Sequence, residues 1–233
     1  MRLLCIDTSS TVGGVAVFDS VGGLLADLRV NLVPDKKTHS ERLMPALDYI
    51  LRESDTTVGS VDAFVVTTGP GSFTGLRVGI NTVKGFALVS TKPVIPISTF
   101  EGLALNFPYT GYPVCVLLDA RKDDLYGAVF SQQLNGDLKE IVQGGVYKLD
   151  EICEKLHGRT ILTGDGSIKY KDRLQQLLGD NALFCGTQHQ YISPAAVAAA
   201  GLKKLNYGGG ISAEMLKPLY LKGGGGQSRA DGR

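Results

Sequence analysis

Residues 67–85 read TTGPGSFTGLRVGINTVKG, and this stretch decides how the rest of the chain is organised. The apolar residues AFVV at 63–66, just before it, are typical of a buried strand. After the glycines, apolar residues recur at helical spacing, at Leu76, Ile80, Val83 and Ala87. The stretch therefore predicts a strand, a glycine-rich turn and a helix, in that order.

The glycine-rich turn has two interpretations, a ligand loop or a plain helix cap, and the residues leave both open. A turn that leads into a helix can present unpaired N–H groups to an anion or another oxygen-rich ligand. Gly69, Gly71 and Gly75 permit backbone conformations or close approaches that other residues do not. Ser72 and Thr74 add hydroxyl groups that can cap the helix or contact a ligand. The spacing fits neither a Walker A loop nor a dinucleotide-binding fingerprint.

The segment GPGSFTGLRVG at Gly69–Gly79 resembles the hallmark of the TsaB family, the partner protein in bacterial threonylcarbamoyl-adenosine tRNA modification. Three shorter segments are similar to the same family: HSERLMP at 39–45, DARKDDLYGAVF at 119–130 and PLYL at 218–221. This family and its paralogue TsaD belong to the actin-like ATPase superfamily. The resemblance implies an α/β protein with a duplicated ribonuclease-H-like fold in two mixed-sheet lobes.

A strand pattern that occurs twice agrees with that fold. In each half an aspartate, Asp7 or Asp119, follows the first of three predicted strands. The strands lie at 3–6, 13–18 and 24–30, and again at 114–118, 125–130 and 138–142. Such repetition is typical of duplicated halves of one fold.

The repeat sets the expected domains. We assign the N-terminal lobe to 1–107 and the C-terminal lobe to 108–211, and we allow 212–222 to pack back on the first lobe. The glycine-rich, polar segment 223–233 predicts a disordered tail.

Asp7 lies where the first predicted strand ends. In actin-like ATPases the aspartate at this position faces a phosphate-bound metal. We favour an Asx turn for Asp7, because no second carboxylate is near in sequence. Asp119 and Arg121 have two interpretations, a functional role or a salt bridge with each other, and we favour the salt bridge. If the first corner is a nucleotide or other ligand loop, its residues are Asp7, Thr8, Gly69, Gly71, Ser72, Thr74 and Gly75.

The segment after the third strand predicts a helix that contacts another protein. Thr38 and Glu41 fit a capping box, and apolar residues follow at helical spacing. The apolar stripe is broad, which indicates a second packing partner. The resemblance implies pairing with TsaD or with a second copy. We expect the partner interface to comprise His39, Leu43, Met44, Leu47, Ile50 and Leu51.

The segment TFEGL at 99–103 bears on catalysis. In TsaD-like paralogues the matching segment reads His-x-Glu-Gly-His, and its two histidines hold the catalytic metal. Here Thr99 and Leu103 stand at those positions; leucine cannot bind a metal, and threonine is a poor ligand. His157 and His189 lack ligand spacing. We therefore expect no metal site, no catalytic residues and a non-catalytic paralogue of TsaD.

The totals limit the remaining possibilities. The chain has 233 residues, a net charge of +1 and no basic patch, so we expect only indirect contact with tRNA. Its four cysteines are scattered, and no signal peptide or apolar run of about 20 residues is visible, which favours a cytoplasmic protein away from the membrane.

Three hypotheses of function follow. The first is a scaffold that pairs with TsaD and recruits the ATPase TsaE, with no cofactor of its own; the complex interface is the only place where ATP or ADP could bind. The alternative is an ATPase or kinase of the actin-like fold, or a glycoprotease-like hydrolase, acting alone. The third is a homodimer with a regulatory ligand, and we expect a homodimer in isolation under the first hypothesis as well.

Overall fold

The computed structural model describes residues 1–31 and 39–221. Within these ranges the strands are β1 Arg2–Asp7, β2 Val12–Asp19, β3 Gly23–Asn31, β4 Ala63–Thr67, β5 Val94–Ile97, β6 Val114–Asp119, β7 Leu125–Gln132, β8 Leu138–Tyr147, β9 Thr160–Thr163 and β10 Ala182–Phe184. The helices are α1 His39–Glu53, α2 Phe73–Ser90, α3 Thr99–Ala104, α4 Leu149–Cys153, α5 Asp165–Lys169, α6 Lys171–Leu178 and α7 Pro194–Asn206. Two predictions, the helix cap at Thr38 and the disordered tail at 223–233, lie outside the described residues.

The strands form two five-stranded sheets with the same topology. The first has the order β3-β2-β1-β4-β5, and the second has the order β8-β7-β6-β9-β10. In both, the first three strands along the chain are antiparallel neighbours, and the last two add in parallel on the other side. The predicted duplication is therefore confirmed, and the protein has a duplicated ribonuclease-H-like α/β fold.

Helices cover both faces of the first sheet. Side chains alternate between the faces of a strand, and Phe64 and Val66 of β4 face the core that β1 shares with α1 and α2. Val65, between them, faces α7 instead. A Cβ built on Gly201 of α7 would lie 2.5 Å from Val65 Cγ2, so only a glycine lets α7 come this close to the sheet.

The chain divides into two compact units, and the division differs from the predicted lobes. The first unit combines Met1–Gly102 with Ile192–Leu219, and the second is built on Leu103–Tyr191. We assigned α7 to the second lobe because it follows the second set of strands. It packs instead on β1, β2 and β5 of the first sheet, because its small residues fit that surface.

The segment after α7 also belongs to the first unit, where it lines the outer edge of β5. Ile211 forms an antiparallel bridge with Val94. Its N–H donates to the Val94 carbonyl at 2.8 Å, and the Val94 N–H donates back to the Ile211 carbonyl at 2.9 Å.

Candidate functional site

The candidate site is a corner where the C-terminal ends of the parallel strands β1 and β4 meet the start of α2. Asp7 ends β1 and is completely buried. Its Oδ1 accepts a hydrogen bond from the Ser9 N–H at 3.0 Å and one from the Thr67 hydroxyl at 2.6 Å. The first of these bonds closes an Asx turn, which confirms our preferred interpretation of Asp7.

The second carboxyl oxygen of Asp7 is less well satisfied. Oδ2 is buried and has no hydrogen-bond partner among the described residues. Burial raises the pKa of Asp7, and the hydrogen bonds from Thr67 and Ser9 oppose this only in part. The corner therefore contains a carboxyl group that resists ionisation more than an exposed aspartate does.

Thr8 connects the corner to the first turns of α2. Its side chain is buried, and its hydroxyl donates to the Gly75 carbonyl at 2.8 Å. A Cβ on Gly79, one turn further along, would overlap the Thr8 hydroxyl oxygen. Gly79 therefore leaves the space that Thr8 occupies.

The glycine loop caps α2 and packs against the same corner. Ser72 is the N-cap residue, and its hydroxyl accepts the Gly75 N–H at 3.2 Å. Its own N–H donates to the Ser9 carbonyl at 2.7 Å. A Cβ on Gly71 would overlap that carbonyl oxygen. The helix-cap interpretation of the loop is confirmed, and Gly71 is required by contacts within the chain.

The remaining predicted loop residues lie around this centre. Thr74 is exposed on the first turn of α2. Gly69 has a φ of +115°, and a Cβ there would lie 2.8 Å from the Leu219 carbonyl oxygen. The Gly69 carbonyl accepts the Thr99 N–H at 2.8 Å, which connects the loop to the start of α3. That a nucleotide or another ligand binds here remains a prediction.

The two positions of α3 that the resemblance matched to metal-binding histidines are buried. Thr99 and Leu103 are each only 2% exposed, and the Thr99 hydroxyl has no partner among the described residues. Glu101, between them, forms a 2.8 Å ion pair with Lys204 of α7. The described part of the chain contains no group of three or more His, Cys, Asp or Glu side chains placed to hold a metal ion.

Three of the six predicted interface residues on α1 are core residues, and their assignment is wrong. Leu43, Leu47 and Ile50 are each 1% exposed and pack in the core beneath the helix. The broad apolar stripe of α1 in fact covers two sides of the helix. Its outer side carries Met44 and Tyr49, which are 50% and 49% exposed.

The two other predicted interface residues give less information. Leu51 is half-buried and packs against the core. His39 begins α1, but its side chain lies outside the described part of the structure.

Sequence reasoning missed an exposed pair at the start of α2, the helix that packs beside α1. Phe73 is 53% exposed, and the Arg77 guanidinium lies 3.8 Å from the centre of its ring. Their separation of four residues, one helical turn, was the available signal.

In the second unit, Asp119 forms a salt bridge with a different residue from the one predicted. Asp119 forms an ion pair with Lys169 at 2.9 Å. From Arg121 it accepts a hydrogen bond of the backbone N–H, at 3.1 Å. Burial acts to raise the pKa of Asp119, but the hydrogen bonds from Lys169 and from the Arg121 N–H lower it overall. Gly164 is the N-cap residue of α5.

None of the helices in the described ranges combines the length and the apolar character that crossing a membrane requires.

Known proteins resemble this chain in sequence. Residues 32–212 match the family described as TsaD: tRNA N6-adenosine threonylcarbamoyltransferase. A relative from Bacillus subtilis (strain 168), named tRNA threonylcarbamoyladenosine biosynthesis protein TsaB, is 30% identical over 210 residues, covering 88% of this chain and 88% of the relative. A relative of the same name from Escherichia coli (strain K12) is 28% identical over 229 residues, covering 95% of each chain.

Solved structures agree on the fold. YeaZ from Pseudomonas aeruginosa matches 94% of this chain and 99% of its own, with a TM-score of 0.80 and 24% sequence identity. Identity at that level shows the fold alone. The sequence matches go further and span most of the chain, so this protein belongs to the TsaB family, within the wider group that the TsaD family model describes.

Proposed function

We propose that this chain is a non-catalytic subunit in tRNA threonylcarbamoyladenosine biosynthesis, that it pairs with TsaD, and that the pair recruits TsaE. Membership of the TsaB family supports the pathway, because the relatives from Bacillus subtilis and Escherichia coli are named for it. The match to the TsaD family model over residues 32–212 supports a common fold with the proposed partner. In a twofold dimer both subunits contribute the same surface patch, so two chains of one fold can pair in the same way.

The observation that carries the proposal is the chemistry of α3. Thr99 and Leu103 stand where the TsaD-like segment has histidines, and both side chains are turned into the protein. Glu101 remains, but Lys204 neutralises it at 2.8 Å. An ammonium group next to this carboxylate disfavours a metal cation at the same oxygen. Catalysis in the complex is therefore assigned to the partner.

The proposed partner surface is the outer side of α1 and α2, defined by Met44, Tyr49, Phe73 and Arg77. Aromatic, methionine and arginine side chains are enriched at protein interfaces. Here they are exposed on two helices that pack side by side on one face of the first sheet. In the absence of TsaD, the same surface can pair with a second copy of the chain.

The other assignments follow from this role. TsaE joins through the complex, and ATP or ADP is bound only at the complex interface. A net charge of +1 gives little electrostatic attraction for nucleic acid, so the proposal has tRNA reached through the partners, in the cytoplasm.

The test is association with the TsaD protein of the same genome, measured by sedimentation velocity or light scattering. Met44→Glu and Tyr49→Glu place a charge on the proposed surface, and we expect each to weaken association at least tenfold without unfolding the chain. The matched control is Leu134→Glu, at a fully exposed leucine of the second unit.

The pairing, the surface and the non-catalytic role can fail separately. Wild-type chain that does not associate with TsaD contradicts the pairing. Association that survives both α1 substitutions contradicts the surface. ATP turnover by the purified chain alone would favour the competing ATPase hypothesis.

A further inference from the structure

The actin-like fold implies a nucleotide phosphate and its metal at the corner between β1 and α2. The first turn of a helix carries N–H groups without helical partners, and these attract anions. Whether a phosphate fits depends on what the residues of this corner already contact.

The Ser9 carbonyl occupies the position of an anionic ligand. It accepts the N–H of Ser72, the N-cap residue of α2, at 2.7 Å. Gly71 leaves room for this carbonyl, because a Cβ at position 71 would overlap the carbonyl oxygen. An oxygen atom from the chain itself therefore takes the Ser72 N–H, one of the donors that a phosphate at this position would use.

The Thr8 side chain fills the next space along the helix. It lies in the gap left by Gly79, and its hydroxyl donates to the Gly75 carbonyl at 2.8 Å. Thr8 has no accessible surface. A ligand that approached the first turn of α2 here would have to displace a buried side chain and break its hydrogen bond.

Asp7 is equally out of reach. It has no accessible surface, and its Oδ1 is held by Ser9 and Thr67. Because Oδ2 is also buried, a hydrated metal ion on a phosphate cannot reach it. The residues of the corner therefore do not fit an external phosphate and its metal.

We infer that residues 7–9 are an internal ligand of the glycine loop: the Ser9 carbonyl takes the place of a bound anion at the Ser72 N–H, and the Thr8 hydroxyl, which donates to the Gly75 carbonyl, fixes the first turn of α2. Thr8 is then a positioning residue. One consequence rests on the proposed function, because Phe73 and Arg77 of the partner surface lie on the first and second turns of this helix. Thr8 holds them in place from the inside.

The test is amide hydrogen exchange of residues 73–79 in the full chain without partners. Thr8→Val keeps the shape but removes the hydroxyl, and Thr8→Ser keeps the hydroxyl. We expect Thr8→Val to speed exchange in this turn about five- to tenfold, the effect of one lost hydrogen bond, and Thr8→Ser to stay near wild type. The matched control is Thr82→Val, since Thr82 donates to the Val78 carbonyl within α2 itself, at 2.8 Å.

Two results would overturn the inference. One is exchange that rises equally in α1, α7 and residues 73–79, or in none of them, after Thr8→Val. The other is saturable binding of Mg²⁺-ATP in calorimetry that Asp7→Asn abolishes.

A third measurement separates this inference from the proposed function. If Thr8→Val loosens residues 73–79 while TsaD association stays unchanged, the internal ligand stands. The assignment of Phe73 and Arg77 to the partner surface then fails.

Discussion

The Thr8 hydroxyl donates to the Gly75 carbonyl across 67 positions of sequence, at 2.8 Å, and both groups are buried. This one bond connects the corner after β1 to the helix that begins after β4. Gly71 and Gly79 are explained by the space that Ser9 and Thr8 require.

Gly79→Ala should destabilise the protein because the new methyl group overlaps the Thr8 hydroxyl oxygen. We expect a loss of about 1–3 kcal/mol in the free energy of unfolding, the usual cost of overpacking a core. The control is Gly85→Ala in the same helix, where a Cβ meets nothing within 4 Å. That change should stabilise by about 0.5–1 kcal/mol through helix propensity. Urea unfolding measures both, and equal effects would contradict the close packing at Gly79.

Asp7→Asn should stabilise the protein at neutral pH. The pKa of Asp7 is raised in the folded state by burial, so the folded protein binds the proton more tightly than the unfolded chain does. The contribution of Asp7 to stability is therefore greatest at low pH, and it falls as the pH rises above the unfolded value of about 3.9. Asparagine does not ionise, so its contribution to stability does not fall as the pH rises.

Thermal unfolding of wild type and Asp7→Asn between pH 4 and pH 7 measures this effect. We expect a gain of about 1 kcal/mol at pH 7, the scale of one poorly satisfied buried polar group, and a smaller gain at pH 4. A variant whose stability falls relative to that of wild type as the pH rises would show that the ionised carboxylate is favourable.

Leu47→Ala and Met44→Ala should separate the two sides of α1. Leu47 is buried under the helix, so its truncation should cost about 2–5 kcal/mol. Met44 is half-exposed, so its truncation should change the unfolding free energy by less than about 0.5 kcal/mol. A large loss for Met44→Ala in the isolated chain would mean that its side chain packs within the chain.

Gly201→Ala should push α7 away from the first sheet, because its methyl group would meet Val65. We expect a loss of about 1–3 kcal/mol. Val65→Ala makes room on the sheet, so the double variant should lose less than the sum of the two single variants. Strict additivity in chemical unfolding would contradict the contact.

The sequence predicted most of the fold because its signals are local. Periodicity within 63–90 specifies strand, turn and helix, and the Asx turn at Asp7 depends on a residue two positions away. The packing of α7 was missed because an alanine-rich helix can cover either sheet. Asp119 and Lys169 are 50 positions apart, so their pairing has no local signal. The breadth of the stripe on α1 did not reveal which side faces the core.

The bridge between Ile211 and Val94 has a consequence for the solution behaviour of the protein. An exposed sheet edge is a template on which foreign strands add and aggregates grow. A chain truncated after α7 would lose Ile211 and uncover the β5 edge, so it should be prone to aggregation even though every strand of both sheets is retained.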